Sequence, residues 1–363
     1  MNKKNRIIAP LWTMALLFAC SLFAGTGNLM VANAHPETAV TMQASANTTQ
    51  SSDSAAPTAA APGTVNDQQA SEEFYHSTLQ KVKDNFLWQD RLGDWNMLMH
   101  KYDGKLQTMA DAHKAINASL ATLNDGYTYF KDEQLTKNSQ TASGRQNVVT
   151  WYLVPNTNIG YIKIHTFGST ETANEVAAAM RAMPTAKAYV LDLRDNGGGY
   201  IWQSLEVFSM FVDNASFATV KGMKDGAAYT EDLAVDATSV LNTENGKVVK
   251  TTRSFPNLAG NKPVIILVNG DSASASEMLA GAMLDNNRAT LLGTHTYGKG
   301  IAQLTYNLNH NTSVQVTFAY DYWPKGACIH KIGIEPNRVV KPTKSGDAQL
   351  DAAVADLQKT LVP

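Results

Sequence analysis

Two short stretches hold residue types that could do nucleophilic chemistry. NGDSASASEMLAGAMLD, residues 269–285, contains Ser272, Ser274 and Ser276, and THTYGKGIAQ, residues 294–303, sets Lys299 between two glycines. Ser274 and Lys299 stand 25 positions apart. A serine hydroxyl is inert at neutral pH unless a base takes its proton, and a lysine can be that base only where burial disfavours its charge. The two are a candidate nucleophile and base. Gln303 lies four residues beyond Lys299, on the same side in a helix or a strand, so its side-chain oxygen could orient the amine.

Each group also has a plainer use. Ser274 to Glu277 reads S-A-S-E, a capping box in which the serine merely satisfies an orphan N–H. Composition does not choose among the three serines. A lysine in an isolated G-K-G is commonly an exposed loop residue. Cys328 has His330 two residues away, but nothing else marks a Cys/His site, and it reads as a structural cysteine. The eight histidines show no metal-ligand spacing, so no cofactor or metal is implied.

The positioning elements can be read from apolar patterning. PVIILV, residues 263–268, is a continuous apolar run of the buried-strand kind, ended by Asn269, Gly270 and Asp271. From Ser274 onward Met278, Leu279, Ala282 and Met283 repeat at helical spacing. Ser274 therefore falls on a strand-to-helix turn, where the backbone N–H of Ala275 could receive a developing oxyanion. The glycines flanking Lys299 let its backbone pack closely on another segment and so desolvate the amine.

Upstream, strand 159–166, helix 170–183, strand 187–193 and helix 200–212 alternate as α/β units do. NGGG, residues 196–199, follows one of those strands and could expose backbone N–H groups there. Strands at 301–308 and 313–321 frame a hairpin signal at 309–311, and a helix fits 348–361. The polar, poorly patterned stretch 222–260 reads as a hairpin or flap near the site. Ahead of all this, helical spacing begins at about Glu72, resumes from Asp94 to Tyr102, and again from Met109 to Leu123.

The first 34 residues carry Lys3, Lys4 and Arg6, an apolar run, and then Ala32, Asn33 and Ala34, which reads as an export signal cleaved after Ala34. The expected destination is periplasmic or extracellular, with lipidation at Cys20 as the alternative and no membrane anchor once the signal is removed. Cys328 would then be the remaining cysteine, leaving no intrachain disulfide. Residues 35–70 lack large apolar side chains and read as a disordered linker. The division that follows is a helical domain over 71–135 and an α/β domain over 136–363. A net charge of −2 without a basic run gives no reason to expect nucleic acid as a partner.

NIGYIKIHTF (158–167), YVLDLRDNGGG (189–199), the SASASE turn, TYGKGIAQ and IHKIGIEPNRVV (329–340) together resemble the C-terminal processing, or tail-specific, peptidases, which use a Ser/Lys dyad. The likeness covers roughly residues 158–340, with five motifs in the family's order. It implies a crotonase/ClpP-like α/β core with a mixed or parallel-rich sheet, flanking helices and a small helical domain in front. It places the nucleophile on Ser274, the general base on Lys299 and the orienting residue on Gln303. It also implies a second oxyanion donor in the glycine turn, assigned to Gly198 among Gly197 to Gly199, and a supporting acidic position at Asp285. Asp285 is about three helical turns from Ser274, roughly 16 Å along the axis, so any part it plays is indirect.

Two departures bear on function. LNDGYTYF, residues 123–130, resembles the segment that closes the family's helical region, yet NIGYIKIHTF follows it within about thirty residues, which leaves no room for the PDZ domain many members carry. Tyr127 also stands where the related tricorn-type peptidases place a histidine, and it cannot act as an imidazole base. The expectation is an exported serine endopeptidase acting on protein or peptide substrates, with a preference for C-terminal regions and room for a homo-oligomer. The alternatives are a peptide-binding scaffold on the same fold, or a Ser/Lys hydrolase of esters or lactams.

Overall fold

In this computed structural model, residues 27–30, 65–132 and 148–362 are described. The reading of an export signal and its cleavage lies outside these residues except at 27–30, where strand β1 (Gly27–Met30) is found. The linker reading is corrected at its end. Helix α1 (Val65–Asn85) starts inside the stretch assigned to linker, and side-chain pairs four residues apart, Gln68 to Glu72 and Gln69 to Glu73, support its polar first turns. Helices α2 (Trp95–His100) and α3 (Met109–Leu120) follow, capped by Asp94 and by the Thr108/Asp111 box.

The chain then runs through β2 (Tyr129–Lys131), β3 (Val149–Leu153), β4 (Ile159–Ile164), α4 (Thr172–Ala182), β5 (Ala188–Asp192) and α5 (Ile201–Ser209). Next come β6 (Ala215–Lys224), β7 (Ala227–Val235), β8 (Ser239–Glu244), β9 (Lys247–Thr252) and β10 (Val264–Val268). Last are α6 (Ala275–Asp285), β11 (Thr290–Gly293), β12 (Ile301–Asn307), β13 (Ser313–Tyr322), β14 (Arg338–Val339) and α7 (Ala348–Leu361).

One sheet has the order β14-β11-β10-β5-β4-β3, parallel from β14 to β4 with β3 antiparallel at its edge. Its central strands β5 and β10 are buried at every residue, because both faces are covered there. Ile159, Tyr161, Ala188, Val190, Ile265 and Leu267 pack on Ala353 and Leu357 of α7. The alternate residues Ile162, Ile164, Leu191, Ile266 and Val268 face the main core, which also takes in Met278 and Leu279 of α6 and Phe74 and Leu79 of α1. The helical N-terminal region thus shares one core with the α/β part.

The second sheet, ordered β1-β12-β13-β6-β7-β8-β9 with β2 also beside β13, is antiparallel. Between β2 and β6 the N-terminal region fills the edge of β13: Thr317 N–H donates to Thr128 Oγ1 at 2.9 Å and Leu87 N–H donates to Thr317 O at 2.8 Å. Residues 222–260 form strands, as a hairpin reading requires, but not a flap at the site. The β8–β9 hairpin ends the sheet opposite β12, five strand spacings or about 24 Å away. None of the described helices is long and apolar enough to cross a membrane.

Candidate active site

Three loops meet at the carboxyl ends of β5, β10 and β11, the place where parallel sheets gather ligand sites. Asn269, just past β10, clamps the loop after β5: its Nδ2 donates to Asp195 Oδ1 at 2.8 Å and its Oδ1 accepts from Asp195 N–H at 3.0 Å. Ala273 N–H donates to Asn196 O at 3.0 Å, and Tyr297 N–H, after β11, donates to Ser272 O at 3.1 Å. The loops are therefore fixed by backbone hydrogen bonds together with the Asn269 side chain.

At this junction the three serines differ. Ser272 Oγ donates to Leu193 O at 2.8 Å and Ser276 Oγ donates to Asn196 O at 2.9 Å. Both hydroxyls are committed to holding the loops together. Ser274 is fully buried, and its hydroxyl has no hydrogen-bond partner among the described residues. Its backbone sits at φ 58° and ψ −120°, a conformation that costs a non-glycine residue of order 1–3 kcal/mol and marks a sharp strand-to-helix elbow. Ala275 is the first residue of α6, so its N–H points out of the positive end of that helix.

Gly198 packs directly on this elbow. A Cβ there would fall 2.8 Å from Ser274 Cβ and 3.0 Å from Ala275 N, and φ is +97°, so only glycine fits. Its N–H donates to Asn196 Oδ1 at 2.9 Å. An oxyanion at this turn would share that donor with Asn196.

Lys299 is 1% exposed, held in a pocket between β12 and the loop before β2. Its Nζ donates to Gln303 Oε1 at 3.0 Å and lies 4.6 Å from the centre of the Tyr127 ring. Gly298 permits the burial: a Cβ there would stand 2.8 Å from Gly333 N, and φ is +91°. Desolvation pulls the amine down to about 7, against the opposing pull of the Asp321, Asp125 and Glu277 carboxylates. Burial and a neighbouring Tyr297 raise the Tyr127 phenol above its ordinary value, so it stays protonated.

Sequence reasoning used Glu277 only as a capping residue, and its place is larger. Its Oε2 accepts from Ser274 N–H and from Lys299 N–H, each at 2.9 Å, so the two candidate residues hang from one oxygen atom. Its Oε1 accepts from Gly298 N–H at 2.8 Å and from Thr296 Oγ1 at 2.5 Å. Burial raises this carboxyl and those four donors counter the rise. The signal was present in S-A-S-E. A capping box normally needs one N-terminal amide from its glutamate, and here the carboxylate reaches a second loop as well.

Asp285 does not join this group. At the far end of α6 its Oδ2 accepts from Lys325 N–H at 2.9 Å, tying down the turn after β13. Cys328 is half-buried and lies with Sγ 4.0 Å from Gly300 O. Among the described residues, one His/carboxylate cluster could hold a metal ion, His76, His100 and Asp103 on the N-terminal helices. Its members already hydrogen-bond one another at 2.8 and 2.9 Å, and they lie on elements that supply nothing to the junction.

The junction lies within the region that known proteins share. A carboxy-terminal-processing protease of Bartonella bacilliformis is 34% identical over 190 residues, covering 51% of this chain and 39% of that protein. A carboxyl-terminal-processing protease of Synechocystis is 33% identical over 210 residues, covering 55% of this chain and 44% of that one. The chain thus spans less than half the length of these curated relatives. Among solved structures, the photosystem II D1 C-terminal processing protease superposes with a TM-score of 0.58 over 79% of this chain and 97% of its own, at 19% identity. A lipoprotein from Streptococcus agalactiae gives 0.60 over 80% and 96%, at 15% identity. At such identities the likeness speaks for the fold. The profile of peptidase family S41 matches residues 158–340, from the start of β4 past β14 and through all three loops, and the chain belongs to that family.

Proposed function

We propose that the protein is an exported serine endopeptidase, acting on protein or peptide substrates with a preference for C-terminal regions, that works through a Ser274/Lys299 dyad. Ser274 Oγ adds to the peptide carbonyl while Lys299 Nζ accepts the hydroxyl proton. The oxyanion is held by the Ala275 N–H with the glycine turn at Gly198. Lys299 returns the proton to the leaving amine; water then adds to the acyl-serine, losing a proton to Lys299 Nζ, which passes it to the departing Ser274 Oγ. Gln303 aims the amine and takes no proton. The observation that carries this reading is a serine whose buried hydroxyl has no hydrogen-bond partner among the described residues, and whose backbone N–H shares one Glu277 oxygen with the backbone N–H of a lysine whose charge is disfavoured by burial.

The edge of β12 supports a peptide as the substrate. Gly27–Met30 lies along it antiparallel, with Met30 opposite Gln303, so an extended backbone fits beside the lysine turn. Strand addition there would hold a substrate by its main chain, without a separate PDZ groove. Export rests on the reading of the first 34 residues.

The test is mass-spectrometric profiling of peptides cut by wild type but not by Ser274→Ala. Cleavage that vanishes in the variant and persists with a chelator is the expected result. Equal cleavage by both chains refutes the assignment of Ser274. Binding without cleavage by the wild type points to the scaffold reading, and turnover of esters or lactams alone points to a different acyl substrate.

A further inference from the structure

Asp321 is a buried acid that the mechanism above does not use. It sits on β13 next to the lysine turn, its own N–H donating to Gly300 O at 3.0 Å. It is 2% exposed, and neither carboxylate oxygen meets a hydrogen-bond donor among the described residues. An ionised carboxylate left in that condition would cost several kcal/mol, and proteins ordinarily escape the cost by pairing or by protonation. The cation available to it is Lys299, one residue before Gly300.

We propose that Asp321 is a positioning residue of the dyad: its carboxyl competes with Lys299 for a single proton and so sets how basic the amine is. This rests on the Ser274/Lys299 reading. Two buried ions can be replaced by two neutral groups if the proton moves from Nζ to the carboxyl, which leaves a free amine and a carboxylic acid with no net charge change. Burial drives both groups that way, raising Asp321 to about 7 while lowering Lys299 to about 7.

The surroundings bear on both groups. Asp125 and Tyr127 from the loop before β2, Glu277 from α6 and His330 from the loop after β13 face Lys299. Glu231 on β7, Glu277 and the Cys328 thiol face Asp321. Glu231 and Asp321 share a row across the sheet, since both are opposite Val220 of β6. Nearby anions favour the protonated form of Asp321, so the acid is neutral when the amine is free. An Asp321 anion pulls the other way and keeps the amine from falling too far to be an effective base.

The experiment follows the Lys299 amine itself, through its side-chain NMR signal, assigned with Lys299→Met, as pH is varied in wild type, Asp321→Asn and Asp321→Leu. Removing the acid should lower the midpoint of the amine titration by roughly one pH unit in both variants. The acidic limb of kcat/KM should move with it, and the plateau should fall roughly threefold as the base weakens. Thermal unfolding of either variant should match or exceed wild type, because an acid without partners supports nothing. A midpoint that stays put in a folded variant overturns the proposal, as does activity lost equally at every pH. Loss of folding in both variants would reveal a structural contact and overturn it too. A shifted amine in a chain that cuts no peptide upholds the pairing and sinks the peptidase reading.

Discussion

Lys224, at the end of β6, and Lys299, just before β12, lie two strands apart in the larger sheet, each 4.6 Å from a tyrosine ring and each among carboxylates. Lys224 Nζ meets Glu244 Oε1 at 2.7 Å, with the two side chains 32% and 44% exposed. It is an ion pair in contact with water, worth at most about 1 kcal/mol. Lys299 donates to the neutral side chain of Gln303, and water is excluded from it. There the Coulombic attraction of three acids is outweighed by desolvation, and the amine is poised near neutrality. The first lysine is paired within reach of water, whereas the second has water excluded, which disfavours its charge.

Variants at the two lysine sites should separate accordingly. Ser274→Ala and Lys299→Met should each lower kcat/KM by about 10⁴-fold, measured on a cleaved peptide, as loss of a nucleophile or its base does. Lys299→Met should not destabilise the chain, because methionine has no charge to desolvate. A folded Lys299→Met that keeps a tenth of the activity would erase the distinction between the two lysines.

The pH dependence comes next. Folded-state burial lowers the amine, so the neutral base predominates above about 7 and is lost below it. Wild-type kcat/KM should fall tenfold per unit as pH drops beneath that point. A flat profile between pH 5 and 8 would place the base elsewhere.

Glu277→Gln presents an amide where two backbone N–H groups now converge, so it should cost roughly 2–4 kcal/mol of stability by denaturant unfolding and about 10²-fold in kcat/KM. Unchanged activity would mean the two loops hold their positions without it. Gln303→Ala removes one hydrogen bond from the amine and should cost roughly tenfold in kcat with KM little changed. Lys224→Met should leave kcat/KM untouched and shift stability by no more than about 1 kcal/mol.

The apolar runs were readable in the sequence because burial on both faces dictates them: PVIILV becomes β10 and AYVLD becomes β5, within a residue of the expected bounds. The lysine turn was readable because glycines on both sides of a lysine announce close backbone approach. Asp321 was not. In SVQVTFAYDY an acid near the end of a strand looks like a solvent-facing residue, and only the packing of β13 against β6 and the lysine turn buries it. Residues 222–260 were illegible for the opposite reason. The β8 and β9 strands have no fully buried face, so no alternation marks them, and the β8–β9 pairing is set by the Asn245/Gly246 turn. The linker boundary slipped because the first turns of α1 are polar and held by local pairs.

Labelling with a serine-reactive fluorophosphonate, read by mass spectrometry across pH 5–9, tests the dyad most directly. A single adduct on Ser274 that rises through about pH 7 and disappears in Lys299→Met is the expected result. An adduct on another residue, or labelling of Ser274 that is undiminished without the lysine, would contradict it.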